Sequence, residues 1–429
     1  MIQSNLHIDE AIEARIDQGI EGSRRGGGVV RVTDAAGNPV PGVRLELEQT
    51  SSDFLFGANV FMLGGYPDAV LNRRYEDAFT GLFNAATAPF FWKELEPRQG
   101  VLRFGADSAP IARRPASDIV ADFCERHGLA MKGHCLVWDY RPWSLPDWLY
   151  DPARSEQLFE QRNRQIGERY GAKIPYWDVL NEPLSRFNLP ENVPDIAPMP
   201  DNFEGKAFTW AQKYLPDSAK LIINETTPTS WDAEFRDGYI GLIKRLISEG
   251  AKIDRVGLQW HVFNPADIVR LLSGELHSGN DLLGALDDYQ PLGLPLHVSE
   301  ITLPAVDASA QAQQDQADLA RYYYRLWFSH PSVEGIYWWN LPDGAGVAGH
   351  EATLKSGLLN PDLSPKPAYE VLQDLIQNEW RTRVTVTTDE HGAACFHGFY
   401  GDYQVRFNNQ KWNFNLKFDQ DFPIEIVLQ

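Results

Sequence analysis

The amino-acid sequence predicts an α/β protein, a (β/α)8 TIM barrel that carries a small β-sandwich made from its N- and C-terminal strands. Three observations point there. Eight short apolar, β-branched or aromatic runs alternate with longer segments of helical period, the pattern of a parallel sheet buried on both faces. No glycine-rich phosphate turn follows an early strand, as the rival doubly wound open sheet would want. The two ends of the chain instead alternate residue by residue, as half-buried antiparallel strands do. The expected division is 1–50 as an N-terminal segment giving strands to the sandwich, 51–380 as the barrel, and 381–429 as the strands that complete the sandwich.

In chain order, "VVRVTDAAGNPVPGVRLELEQT" (Val29–Thr50) reads as strand, turn, strand, with Gly37 and Asn38 at the turn. The barrel strands follow as Phe54–Phe61, Leu82–Ala88, Ala130–Trp138, Ile174–Glu182, Lys220–Glu225, Arg255–Phe263, Pro295–Ile301 and Gly335–Leu341. Amphipathic segments separate them. "DAVLNRRYEDAFTGLF" precedes the second run, "ASDIVADFCERHG" the third with His127 and Gly128 as a stop, and "SEQLFEQRNRQIGERYG" the fourth. "DGYIGLIKRLISEG" precedes the sixth, "QAQQDQADLARYYYRLWFSH" the eighth, and "KPAYEVLQDLIQNEW" follows it. Beyond lie Arg383–Phe407, "NFNLKF" and "IEIVLQ", each too small for a core alone but sufficient together with Val29–Thr50. Phe396, Phe399, Tyr400 and Tyr403 cluster there; a sugar-binding surface is one reading, and the sandwich's own core is the preferred one.

Composition narrows the function. Asp and Glu outnumber Lys and Arg by 59 to 39, a formal charge of -20, so a nucleic acid would be repelled and no basic cluster compensates. No apolar run approaches membrane-spanning length, so no membrane partner is expected. Cys124, Cys135 and Cys395 form neither a metal-ligand motif nor an evident disulfide framework. The first residues lack an apolar signal core, which fits a cytoplasmic chain or a mature secreted one. Nothing calls for a metal, nucleotide or flavin, so no cofactor is expected; the oligomeric state stays open.

Polar residues at the C-terminal ends of barrel strands carry the functional signal, because the active site of this fold sits there. Glu182 closes the fourth run in "IPYWDVLNEP", and Glu300 closes the seventh in "LHVSEIT". His134 comes late in the third, Gln259 and His261 late in the sixth, and Trp339 and Asn340 at the end of the eighth. Two carboxyl groups across one mouth suit glycoside hydrolysis: one, protonated, assists the leaving oxygen, and the other, ionised, attacks the anomeric carbon. A separation of about 5–5.5 Å would give retention through a covalent glycosyl-enzyme. Mutual repulsion keeps such a pair from ionising together near neutrality. The expected partner is a polysaccharide or oligosaccharide.

Six blocks in order strengthen this reading. "LFNAATAPFFWKELEPRQGVLRF", "GHCLVWDYRPWSLPDWL", "WDVLNEP", "VGLQWHVF", "HVSEIT" and "GIYWWNLPD" with "GLLNPDLSPKPAY" resemble the strand blocks of glycoside hydrolase family 10, best known for endo-β-1,4-xylanases. The resemblance implies Glu182 as acid/base and Glu300 as nucleophile, in a retaining enzyme acting on xylan or a decorated relative. It implies that Asn181 donates to the sugar 2-hydroxyl, that His261 with Gln259 orients Glu300, and that His134 and Lys93 bind hydroxyls. Trp138 and Trp339 would wall the sugar. A retaining β-glycosidase on another or an aglycone-bearing sugar, and a non-catalytic glycan-binding barrel, are the alternatives.

The pattern breaks in places. Where the family has Thr-x-Glu-Asn-x-Met-Lys-Trp, this chain has "TAPFFWKE", so Pro89 and Phe90 replace the acid and amide that would hold the next sugar on the non-reducing side. Asp139 and Arg141 replace a histidine and a glutamine, Thr302 an aspartate, and "INETTP" the Asn-Asp-Tyr-Asn pattern. Phe90 is therefore expected against a decoration, an apolar aglycone or nothing, and Arg141 against an acidic substituent. Plain linear xylan is not the expected preferred substrate.

Overall fold

The computed structural model of the protein describes residues 4–185, 199–418 and 423–428. After β1 (Arg25–Thr33) and β2 (Arg44–Gln49), eight strands close a barrel. They are β3 (Leu55–Asn59), β4 (Ala85–Pro89), β5 (Ala130–Val137), β6 (Tyr176–Asn181), β7 (Lys220–Glu225), β8 (Arg255–His261), β9 (Leu296–Thr302) and β10 (Val333–Trp338). They follow each other around the ring, and β10 closes on β3 in parallel, with Ile336 opposite Phe56. Each strand overlaps one of the eight apolar runs. β3, β4 and β9 are buried at every residue, which is why they read as continuous apolar sequence rather than as alternation.

The connecting helices obey local rules. Ser117–His127 stops at Gly128, whose φ of 64° suits a residue without a Cβ. Pro152–Tyr170 starts after Asp151, whose carboxylate accepts from the Ala153 N–H, with proline in the first turn. On the outer face of the barrel, beneath the helices, Gly133 makes room for an indole: a Cβ there would lie 2.3 Å from the Trp177 ring. Beneath the mouth lies a buried ion pair, Lys132 Nζ at 3.4 Å from Asp178 Oδ2, with the ammonium 4.4 Å from the centre of the Tyr337 ring.

The remaining strands are β11 (Arg383–Thr387), β12 (Ala393–Phe399), β13 (Gly401–Phe407), β14 (Gln410–Leu416) and β15 (Ile424–Val427). They form two sheets, β12-β1-β15 and β11-β2-β13-β14, which share a core of Val30, Val32, Leu45, Leu47, Phe396, Tyr403, Val405, Leu416 and Ile426 among others. Phe396 and Tyr403 thus lie inside this layer and present no exposed stacking platform.

The residues ahead of β1, for which no element was expected, contain a helix. Glu10–Arg24 is a helix packed on the barrel helix Ala310–Ser329, burying Ile12 and Ile16. Its last residue anchors it: the Arg24 guanidinium donates to the backbone oxygens of Phe328, His330 and Val333. Burial lowers that guanidinium's pKa to about 10, still charged at neutrality.

Phe90 corrects an expectation. It is fully buried between β4 and the helices outside the barrel, with its ring centre 4.9 Å from that of Trp177 and 5.4 Å from that of Tyr170. It is core, and no sugar meets it. Phe90→Ala should therefore destabilise the fold by about 3–5 kcal/mol, with Phe90→Leu recovering most of the loss, as read by chemical unfolding.

Candidate active site

The strands deliver their polar ends to one cleft of about 970 Å3, lined by Glu182, Glu300, His134, Trp138, Gln259, His261 and Trp339 among others. Glu182 follows β6 with a φ of 51°, a left-handed conformation that costs a non-glycine residue free energy. Its backbone N–H is fixed on the Asn224 carbonyl at 2.8 Å, so the carboxyl turns over the mouth. Gln259 Nε2 donates to Glu182 Oε1 at 2.9 Å.

Glu300, in β9, is buried and held from two sides. Asn224 Nδ2 donates to Oε1 at 2.9 Å, and His261 Nε2 lies 3.4 Å from Oε2. His261 is braced in turn by Thr302 Oγ1, 2.8 Å from its Nδ1. Gln259 therefore holds the other carboxyl, Glu182, and not Glu300 as expected from sequence. The β8–β9 ladder, with Ser299 as an extra residue on β9, does set Gln259 opposite Glu300, yet its amide reaches across toward β6.

His134 Nδ1 lies 2.8 Å from Asp178 Oδ2; a carboxylate only accepts, so that nitrogen carries the proton. The other ring nitrogen faces the cleft, 4.0 Å from Glu300 Oε1. Burial works to raise Asp178, but Lys132 and His134 outweigh it and hold its pKa below the usual range. The aspartate quoted at the start of the "WDVLNEP" block is thus the ionised support of His134. The Trp339 ring stands edge-on to His134, and Trp138 lies nearly parallel to Tyr140 at 5.7 Å. Asn181 accepts from Asn224 Nδ2 at 2.8 Å, which leaves its own buried Nδ2 without a hydrogen bond.

Two expected residues lie elsewhere. Lys93 sits in the short helix Trp92–Leu95 and pairs with the exposed Asp147 at 3.1 Å, outside the cleft lining. Its neighbours Phe91 and Glu94 line the cleft instead, because the turn of this helix carries position 93 to the outer side. Arg141 heads the helix Arg141–Ser144, and its side chain falls outside what is described. Sequence reasoning missed Asn224, the residue that ties Asn181, Glu300 and Ser299 together. It stands near the end of β7, so the strand-end rule that selected Glu300 applies to it equally. Glu225 was missed too; its carboxylate accepts from the backbone N–H groups of Leu184 and Thr226, pinning the chain just after Glu182.

The electrostatics separate the two acids. Glu182 is pushed up to about 8, first by burial and second by the charge of Glu300, with the Gln259 hydrogen bond opposing. Within one site, one carboxyl is thus kept protonated at neutral pH while its neighbour is surrounded by donors. Among the described residues no group of His, Cys, Asp and Glu side chains could hold a metal ion.

The model of glycosyl hydrolase family 10 matches residues 68–375. The chain belongs to this family. It is 27% identical to anti-sigma-I factor RsgI6 of Acetivibrio thermocellus over 91% of its length, covering 46% of that protein. It is 24% identical to endo-1,4-beta-xylanase 2 of Arabidopsis thaliana over 90% of its length, covering 33% of that protein. The chain therefore spans half or less of these two relatives. Endo-1,4-beta-xylanase 2 of Aureobasidium pullulans is 28% identical over 67% of the chain and 77% of that enzyme. Native xylanase 10B of Thermotoga maritima shares the fold, with a TM-score of 0.60 at 20% identity over 76% of this chain and 96% of that one.

Two outcomes follow from the geometry. A proton donor with its pKa raised works while protonated, so kcat/KM should fall as pH rises through about 8. Gln259→Leu removes a donor that favours the carboxylate and should move this limb to higher pH. Separately, a Cβ at Gly257 would lie 2.3 Å from Asn224 Oδ1. Gly257→Ala should displace that amide, cost about 1–3 kcal/mol of stability by chemical unfolding, and lower kcat beyond what the residual folded fraction explains.

Proposed function

We propose that this protein is a retaining glycoside hydrolase that cleaves β-glycosidic bonds in xylan or a decorated xylan-related glycan by double displacement. One observation carries the reading: Glu182 and Glu300 line the same cleft, and there burial and the charge of Glu300 raise the Glu182 carboxyl to about 8. Glu300 attacks the anomeric carbon while Glu182 gives its proton to the departing oxygen. Esterification removes the Glu300 charge, which was the second cause of the raised Glu182 pKa. Glu182 then ionises more readily and takes a proton from the water that releases the sugar.

The supporting groups have matching parts. Asn224 and His261 fix the attacking carboxylate without neutralising it by a full ion pair. The unfilled Asn181 Nδ2 is a ready donor to a sugar hydroxyl, a contact that strengthens in the transition state. Trp138 and Trp339 offer flat faces to a pyranose. Departure from plain linear xylan is favoured by the position of Lys93, which leaves the cleft without the cation expected from the second strand block. The substrate is accordingly a polysaccharide or oligosaccharide whose glycone side is read by other residues.

An activated aryl β-xyloside tests the chemistry. Wild type should turn it over, Glu300→Ala should abolish turnover, and Glu182→Ala should lower hydrolysis by about 10²–10⁴-fold. Azide should restore Glu182→Ala by giving a glycosyl azide with retained configuration, since attack on the glycosyl-enzyme by azide needs no general base. Absence of wild-type turnover, or full activity in either alanine variant, would leave a non-catalytic glycan-binding barrel as the better reading.

A further inference from the structure

The glycone side of the cleft is built from charged residues that the mechanism above does not use. The glycosidic oxygen must reach Glu182 after β6, so the leaving group lies toward β6, β7 and β8. The sugar under attack, and anything beyond it, lies toward Trp339 and His134 and hence over β10, β3 and β4. On that side the cleft is lined by Phe61, Glu94, Arg113, Arg114 and Glu351.

These residues come from loops on either side of β3 and meet across its end. Arg113, in the long connection after β4, has a φ of 59° and donates to Asn340 Oδ1 at 3.1 Å; its guanidinium lies 3.7 Å from Glu351. Asn59, ending β3, donates to the same Asn340 oxygen at 3.3 Å. Glu351, in the loop after β10, accepts from Trp339 Nε1 at 3.2 Å and Asn340 Nδ2 at 3.0 Å. Arg114 lies over the Phe91 ring, 4.2 Å from its centre, and 3.6 Å from Glu94. The loops are thereby tied together over the strand along which a longer glycone would have to run.

The wall has hydrogen-bonding capacity to spare. Both ion pairs are longer than an ordinary hydrogen bond, with Arg114 Nε facing Glu94 Oε2 at 3.6 Å, and Arg113 Nε is buried without a hydrogen-bond partner. Two guanidinium and two carboxylate groups cancel in charge. A uronate would meet Glu94 and Glu351 as well as the arginines, whereas a neutral sugar presents hydroxyls that donate to the carboxylates and accept from the guanidinium groups.

We propose that Arg113, Arg114, Glu94 and Glu351 bind the free hydroxyls of a non-reducing terminal sugar and close the cleft behind it, so that the enzyme releases short units from chain ends. The proposal rests on the retaining-hydrolase reading of the same site. It assigns specificity to the loop after β4 and the loop after β10, in place of the acid and amide missing from positions 89 and 90.

β-1,4-Xylohexaose labelled at its reducing end with 2-aminobenzamide tests it, with products resolved over time. The expected result is release of unlabelled xylose or xylobiose first, with the label descending a ladder from the longest fragments. Early appearance of labelled xylobiose or xylotriose together with unlabelled tetraose or triose, the sign of internal cuts, would overturn the proposal while leaving the hydrolase reading in place. Failure to turn over both this oligosaccharide and an aryl β-xyloside would remove the two together. In Arg113→Ala, KM for the hexaose should rise about 10–100-fold, more than kcat falls, and internal cuts should appear. Arg113→Lys, which keeps the charge but loses the planar fork, should recover folding without recovering KM. A KM equal to wild type in either variant, with the ladder unchanged, would also contradict the assignment.

Discussion

Two carboxyl groups share one mouth, and the charge on Glu300 makes a charge on Glu182 costly. Burial alone raises Glu182, and the charge of Glu300 raises it further to about 8. Much of the architecture around the mouth serves this inequality. Glu300 receives the Asn224 amide and the His261 ring, both suited to an anion. Glu182 has the amides of Gln259 and Asn181 acting to lower it, too little to overcome desolvation and the charge of Glu300. A pair with equal surroundings would share a proton without assigning roles; unequal surroundings produce an acid and a nucleophile.

The barrel makes that inequality by what it places below the mouth. Asn224 on β7 joins two other strands, bonding to Asn181 on the neighbouring β6 and, across β8, to Ser299 and Glu300 on β9. It fits only because Gly257 on the adjacent β8 has no side chain. His134 is fixed by Asp178, and Asp178 stays ionised because Lys132 is buried beside it. Removing one member would strand a charge in the interior, which is why such groups act as a set. The mouth is therefore rigid at its floor, while the variable loops above it after β4 and β10 decide what enters.

Much of this was legible in the sequence because the physics is local. A strand buried on both faces leaves a continuous apolar run, and all eight runs became barrel strands. A polar residue that ends such a run points into the mouth, which located Glu182, Glu300, His134 and Trp339. The same rule covered Asn224, hidden only by its place in "INETTP" beside a more conspicuous acid. Legibility failed where a side chain's direction depends on tertiary context. The helix starting at Trp92 turns Lys93 toward Asp147 and solvent, and Phe90, just past β4, packs into the core against Trp177. Gln259 stands opposite Glu300 in the ladder, and only the direction of its side chain in the folded barrel puts its amide on Glu182. Arg113, Arg114 and Glu351 lie in loops without periodicity, and only the folded chain brings them together. The N-terminal helix has ordinary amphipathic sequence, but its docking through Arg24 depends on carbonyls some three hundred residues away.

The family membership fixes the fold and the order of the blocks, and the roles proposed for Glu182 and Glu300 can be tested directly. The most direct measurement is to trap the intermediate with an activated 2-deoxy-2-fluoro-β-xyloside, which slows its hydrolysis, and to map the modified peptide by mass spectrometry. One glycosyl adduct per chain is expected, on Glu300, formed with loss of the leaving group. An adduct on Glu182 or elsewhere, or turnover of the natural glycoside with inversion and no adduct, would contradict it.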